Sequence, residues 1–294
     1  MYPIPAVESL LESVVAAARE AGDAILEIYA TDFAVRGKDD SSPVTVADER
    51  AEALILRRLG VLTPGVPLVA EEAVAAGHAP DISGGRFWLV DPLDGTKEFI
   101  GRNGEFTVNI ALIDKGQPVL GVVLAPALGR LFAGIVGRGA WVVQHGQRRA
   151  IRCRVPPRQG LTVVASRSHG DAQALDAFLA GRKVAERVSA GSSLKLCLVA
   201  AGEADLYPRL GRTMEWDIAA GHAVLAAAGG RVHCIDGPEL GYGKPGFANP
   251  HFFADGMGGV DESGTAASAI SCSAPGWRRT GIREIAPGAG PLLL

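Results

Sequence analysis

Apolar residues near the start of the chain recur at three- and four-residue steps: Val7, Leu10, Leu11, Val14, Ala18, Ala21, Ile25 and Ile28. That is the period of an amphipathic helix covering roughly the first thirty residues, and its apolar stripe is expected to pack on a sheet. The polar stretch Lys38 to Thr45 reads as a loop, and Thr45 with Asp48 resembles a capping box for a second helix ending near Gly60. The period then shortens. Leu68-Val69-Ala70 is an apolar run ending in Glu71-Glu72, and Phe87-Trp88-Leu89-Val90 is another ending in Asp91. Thr107 to Ile113, Pro118 to Leu124 and Arg130 to Val136 are β-rich runs separated by turn-forming residues, the pattern of an antiparallel meander. Trp141 to Val143 and the His145-Gly146 turn extend it.

Val155-Pro156-Pro157 interrupts the chain, and beyond it strand and helix signals alternate: Leu161 to Ala165, a helix from about Asp171, Val184 to Val188, a helix from about Ser192, then Ala204 to Tyr207. An α/β (α+β) protein is expected, with an N-terminal α+β domain over 1–157 and a C-terminal α/β domain over 158–257. Residues 258–294 are rich in Gly, Ser, Ala and Pro without periodicity and read as a flexible tail.

Composition narrows the function classes. The 294 residues are 48% hydrophobic, enough for a full core. A net charge of −3 argues against a protein that coats a nucleic-acid polymer, although a single nucleotide needs only a local basic pocket. No run approaches the roughly 20 apolar residues of a membrane span, and the N-terminus lacks a secretory pattern, so a cytoplasmic protein is expected. Cys153, Cys197, Cys234 and Cys272 are widely spaced and are expected to be buried free thiols.

The chemistry concentrates in Asp91-Pro92-Leu93-Asp94-Gly95-Thr96, where an apolar strand meets two carboxylates. Pro92 fixes the local φ, Gly95 permits close backbone approach, and the Gly95-Thr96 amides would open a helix whose N-terminus favours phosphate beside a carboxylate-held Mg²⁺. Asp-Pro and Asp-Gly pairs are also ordinary turn formers. Two strands finishing in carboxylate, however, would bring Glu71 and Asp91 to adjacent ends of one sheet, and clustered acids need a cation. Asp217 lies where an N-cap would fall, before a helix of small residues that can pack closely on another backbone.

Glu71-Glu72, Asp91-Pro-Leu-Asp-Gly-Thr96 and Trp216-Asp217, in this order, resemble the lithium-sensitive, Mg²⁺-dependent phosphatase superfamily of inositol monophosphatases, fructose bisphosphatases and bisphosphate nucleotidases. The continuation Lys97-Glu98-Phe99, the run Arg102 to Leu112 and the stretch Gly243 to Phe252 are similar to the bacterial CysQ branch of 3′(2′),5′-bisphosphate nucleotidases. The likeness covers about residues 5 to 256.

It implies a layered α-β-α-β-α sandwich and hydrolysis of 3′-phosphoadenosine 5′-phosphate to AMP, as in sulfur assimilation and nucleotide recycling. By the same resemblance two or more Mg²⁺ ions would be held by Glu71, Asp91, Asp94, Asp217 and the carbonyl of Leu93. Thr96, oriented by Asp48, would position the attacking water, assisted by Glu71. The phosphoryl group would meet Leu93, Asp94, Gly95, Thr96 and Asp217, while Ser166, His169, Ser192 and Lys195 would hold the nucleotide and its second phosphate, with Tyr207 and Arg209 as further candidates.

Bland readings stand beside these. Asp48 can be a first-turn acid, Ser192 or Ser193 a cap, and His169 a solvated residue. His78, His145, His222, His233 and His251 receive no role. The haloacid dehalogenase pattern D-x-D-x-T is excluded, because Asp91 and Asp94 are one residue too far apart. Alternatives within the superfamily are an inositol monophosphate or a histidinol phosphate phosphatase. A different class would be a non-catalytic Mg²⁺- or nucleotide-binding regulator. The expected partner is a small nucleotide, with room for a homodimer and for association with the inner face of the membrane.

Overall fold

A computed structural model describes residues 6–31, 43–166 and 172–256. The chain order is α1 (Val7–Tyr29), α2 (Pro43–Leu62), β1 (Leu68–Ala70), α3 (Glu71–Ala75), β2 (Arg86–Asp94), α4 (Thr96–Ile100), β3 (Thr107–Asp114), β4 (Gln117–Ala125), β5 (Arg130–Ile135), β6 (Gly139–Gln144) and β7 (Gln147–Ile151). It continues with β8 (Leu161–Ser166), α5 (Ala172–Leu179), β9 (Val184–Ala190), α6 (Leu194–Ala200), β10 (Leu206–Arg209), α7 (Glu215–Ala227), β11 (Gly230–Cys234) and β12 (Phe252–Gly256).

β1 to β7 form one sheet in sequence order, parallel only between β1 and β2 and antiparallel thereafter. The second sheet has the order β11-β12-β10-β8-β9, with β8, β9 and β10 parallel. The period-two alternation of the strands divides their side chains between two cores. Trp88, Val90, Ile110, Leu112 and Val122 point to one face, where Leu10, Val14, Ala18 and Ile25 of α1 and Ile55 and Leu59 of α2 cover them. Phe87, Leu89, Ala111, Ile113 and Val123 point to the other, against Leu196 and Cys197 of α6 and Ile218, Ala220 and Val224 of α7. The same core reaches Val164, Tyr207, Phe252 and Ala254 of the second sheet, whose outer face packs Val163 and Leu206 on Leu179 of α5. The layers are therefore α1/α2, sheet, α6/α7, sheet and α5, the expected α-β-α-β-α sandwich.

Several local expectations change. α2 begins at Pro43, so Thr45 is its third residue and not its N-cap; a proline at the first helical position supplies the helical φ and needs no N–H partner. β2 continues past the apolar run to Asp94, because Asp91 pairs with Asn109 and Asp94 with Thr107 across an irregularity in the ladder. α6 begins at Leu194. Of the cysteines, Cys153, Cys197 and Cys234 are free thiols but only Cys197 is fully buried; Cys272 lies outside the described residues. So do the loop residues 38–42 and the extension from 258. Among the described residues no helix is long and apolar enough to cross a membrane.

The small residues of α7 do what their sizes suggest. A Cβ on Gly121 of β4 would lie 2.3 Å from the carbonyl oxygen of Ala220, and one on Gly134 of β5 would lie 2.8 Å from the Ala227 Cβ. Helix backbone and sheet thus touch with no side chain between them. Gly121→Val should lower the stability of the protein by about 1–3 kcal/mol or more through overpacking, read as the urea midpoint. A midpoint equal to wild type would show that α7 does not depend on this contact.

Candidate active site

The site lies where parallel strands end, the usual position for a ligand in such sheets. β1 and β2 run in parallel with Ala70 opposite Val90, so Glu71, just past the end of β1, and Asp91, in the last part of β2, follow that pair at the same edge of the site. Asp91 is buried and its Oδ1 accepts the Leu93 N–H at 3.1 Å, which turns the chain. Asp94 follows and accepts hydrogen bonds from Asn109 Nδ2, at 3.4 Å, and from the Ser193 N–H. Gly95 then takes φ 98°, a left-handed conformation that favours glycine, and its neighbours Glu98, Phe106 and Ser192 leave little room for a Cβ. The short helix α4 is pinned by Phe99, whose ring packs on Tyr29 at 5.1 Å and Phe106 at 5.2 Å between centroids. This anchor sets Thr96 at the edge of a cavity of about 340 Å³.

Asp217 arrives from the opposite side. It occupies the third position of α7, not the N-cap, which is Met214; the carboxylate reaches back to accept the Met214 N–H at 2.9 Å. That bond is the side-chain half of a capping box, and it directs the acid over the helix start.

The cluster's electrostatics are those of like charges out of water. Burial raises Asp91 well above the usual carboxylate range, with repulsion from Glu71, Asp94, Asp217 and Asp48 adding to it. Burial, then Glu72 and Asp94, pushes Glu71 up to about 7, although a hydrogen bond with Asp91 opposes this. Asp217 is pushed up to about 8 by burial and by Asp94. Asp48 rises to about 9, through burial and then Glu72, Glu71, Glu52 and Glu49. Asp94 is raised by burial, against the opposing pull of Lys195.

These groups share one field, but among the described residues no three acids, histidines or cysteines are gathered tightly enough to enclose an ion. Bare carboxylates repel, and Glu71 and Asp91 meet instead through a shared hydrogen bond. The donor set fits a hard cation all the same, since only positive charge would let these oxygens ionise together.

The second sheet supplies the cavity's other wall. Ser166 ends β8, Gly191 and Ser192 follow β9, and Arg209 ends β10. Ser192 has φ 45°, uncommon for a residue with a side chain. The turn is gripped from both sides: Lys195 Nζ donates to the carbonyls of Ala190 and Ser192, and the Gly191 N–H donates to Glu105 at 2.8 Å. Lys195 is buried, with its ammonium 5.4 Å from the centre of the Tyr207 ring. Burial lowers it to about 8 while Asp94 acts to raise it. The Ser192 and Ser193 hydroxyls are buried with no hydrogen-bond partner among the described residues. Neither caps α6.

Most of the expected residues therefore converge. Asp94, Gly95, Thr96, Asp217, Ser166, Ser192 and Lys195 line one cavity, Glu71 and Asp91 share the field of its acids, and Leu93 is held by its N–H to Asp91 with its side chain in the apolar core. Asp48 sits beside Glu71 and Glu72, and no hydrogen bond joins it to Thr96 among the described residues. His169 lies outside the described residues. Ser193, read from the sequence only as a possible cap, lines the cavity, and Asn109, Arg212 and Thr213 carry no expectation from the sequence. Asn109 gives no signal inside a strand, whereas Arg212 and Thr213 stand just before Trp216-Asp217 and were open to inspection.

The chain is similar to known proteins over most of its length. The chain is 50% identical over 248 residues to the 3′(2′),5′-bisphosphate nucleotidase CysQ of Escherichia coli (strain K12), covering 83% of this chain and 98% of that protein. A crystal structure of CysQ from Bacteroides thetaiotaomicron, described as a bacterial member of the inositol monophosphatase family, superposes with TM-score 0.74 at 38% identity, covering 85% of this chain and 98% of that one. An inositol monophosphatase from Anabaena (Nostoc) sp. PCC 7120 superposes with TM-score 0.67 at 26% identity, over 85% and 91% of the two chains. The sequence model of the inositol monophosphatase family matches residues 6–266, and the chain belongs to that family.

Proposed function

We propose that the protein is a Mg²⁺-dependent phosphomonoesterase that removes the 3′-phosphate of 3′-phosphoadenosine 5′-phosphate, yielding AMP and phosphate. One observation carries the reading: a single cavity is lined on one side by Asp94, Thr96 and Asp217 and on the other by Lys195, Arg209 and Ser192. Carboxylates that favour a cation thus share one cavity with cationic side chains that favour an anion. A substrate with a scissile phosphate and a second phosphate some distance away meets both demands, whereas inositol or histidinol phosphate would leave Lys195 and Arg209 without a partner from the substrate. The name of the E. coli relative supports the same substrate class.

Glu71, Asp91, Asp94 and Asp217 would hold the metal, with the Leu93 carbonyl. Bound there, Mg²⁺ would acidify an attacking water and neutralise charge on the phosphoryl oxygens. The chain's own part is positioning. Thr96 directs the water, and Asp48, deep beside Glu71, keeps the side of the cluster toward α2 polar and able to hold a proton. The Gly95 and Thr96 amides open α4 toward the phosphoryl oxygens. Lys195 and Ser192 receive the second phosphate, and the unpaired Ser192 and Ser193 hydroxyls offer hydrogen bonds to it or to the nucleoside. His169 would contribute from the segment after β8.

Phosphate release from 3′-phosphoadenosine 5′-phosphate should exceed that from inositol 1-phosphate and histidinol phosphate under the same conditions. Preference for either of the latter would overturn the substrate assignment, and no release from any of them would favour a binding protein. Asp91→Asn or Asp94→Asn should lower turnover by about 100-fold or more, the lower bound being what loss of a mere support for a metal ligand costs. The metal-free variant should melt no lower than wild type at pH 8, since the change removes a repelling acid.

Stability should also report the cluster. Asp48, Asp217 and Glu71 titrate at about 9, 8 and 7 in the fold against ordinary values of 3.8, 3.8 and 4.5. The folded protein therefore holds more protons than the unfolded chain between about pH 4 and 9, and these acids destabilise it progressively as the pH rises through that window. Mg²⁺ relieves the same repulsion. Its effect on the melting temperature should be larger at pH 8 than at pH 5.5, and an equal gain at both would contradict the assignment of these acids to the metal.

A further inference from the structure

One buried acid next to the site has no part in the reading above. Glu52, on α2, is 7% exposed; its Oε2 accepts the Glu72 N–H at 2.9 Å and its Oε1 accepts the Ala73 N–H at 3.0 Å. These are the amides directly after Glu71. The helix they belong to, α3, is five residues long, and no side chain at its N-cap, Ala70, satisfies its first donors. Glu52 does so from another element. It stands four residues after Asp48, so the two acids share one face of α2. Burial raises Glu52, and its two backbone hydrogen bonds oppose the shift.

We infer that Glu52 is a positioning residue: by clamping the backbone at Glu72 and Ala73 it fixes the direction in which Glu71 leaves β1. A five-residue helix gains little tertiary stability from a cap. What the clamp supplies is rigidity at the junction between strand and helix, where a small rotation would swing the Glu71 carboxylate out of the cluster. The inference rests on the reading of Glu71 as a metal-binding acid.

Two variants separate geometry from charge. Glu52→Asp keeps the charge and draws the oxygens back by one methylene, so both amides cannot be held at once. Glu52→Gln keeps the length but sets its own amide donors against one backbone N–H. Mg²⁺ affinity is measured by calorimetry on the full chain without substrate, at pH 8, and then kcat and KM for 3′-phosphoadenosine 5′-phosphate at saturating Mg²⁺. Both variants should bind Mg²⁺ about 10- to 100-fold more weakly, the usual effect of a lost support behind a metal ligand. KM at saturating metal should stay within about twofold of wild type, because the substrate's second-phosphate side is untouched.

Wild-type Mg²⁺ affinity in either variant overturns the inference. So does a KM that rises in step with the loss of metal affinity, which would indicate a general loosening of the site. Wild-type protein that binds Mg²⁺ yet releases no phosphate overturns the phosphatase reading instead; the ratio of calorimetric affinities, which uses no turnover, still decides for or against Glu52.

Discussion

The structure is organised around a repulsion. Asp91, Glu71, Asp94 and Asp217 lie within one field at the ends of β1 and β2 and the start of α7, and burial with mutual repulsion displaces each toward its protonated form. Left to themselves such groups would drive their elements apart. Three of them are tied to backbone or amide, Asp91 to Leu93, Asp94 to Asn109 and Ser193, and Asp217 to Met214, while Glu71 shares a hydrogen bond with Asp91.

Carrying Asp217 into that field makes a demand on packing. α7 belongs to the middle layer, so its first turn can approach the end of β2 only if the helix lies against the sheet without intervening side chains. Gly121 and Gly134 on the strands, with Ala220, Ala223 and Ala227 on the helix, permit this. Gly221 repeats the device on the other flank, where Leu196 and Ser193 of the α6 region press close. Glu215, wholly buried, accepts the Gly243 N–H at 2.8 Å and the Lys244 N–H at 2.9 Å and so fixes the start of α7 from outside. Composition here serves distance: small residues in α7 matter for where they let Asp217 stand.

Much of this was legible in the chain because period and chemistry agreed. The three- and four-residue steps of α1, the meander from Thr107 onward and the alternation beyond residue 160 each follow from which positions must be dry. The Asp-Pro-Leu-Asp-Gly-Thr segment combined a strand, a turn residue and a helix start, so its acids could be placed without a fold. Less was legible where a residue's role depends on a partner distant in sequence. Nothing about Asn109 distinguishes it from its strand neighbours until Asp94 is seen 3.4 Å away. Thr45 looked like a cap because Ser and Thr usually are; Pro43 started the helix first. Asp217 looked like an N-cap for the same reason, and an acid two positions inside the helix can serve the same terminus by reaching back.

The contact between Asp94 and the Ser193 N–H has a consequence for how the two walls of the cavity relate. Asp94 belongs to the first sheet and Ser193 to the turn after β9, which Lys195 and Glu105 hold in an unfavourable backbone conformation at Ser192. That turn is therefore loaded at three points, and one of them is an acid of the cluster. A group that draws on Lys195 competes with its hydrogen bonds to the Ala190 and Ser192 carbonyls, in the same turn whose Ser193 N–H is bonded to Asp94. Conversely, positive charge placed among the acids relieves part of the pull between Asp94 and Lys195 and alters what the lysine can offer. The walls of this cavity are thus a single electrostatic object, and the strained turn at Ser192 is the piece that joins them.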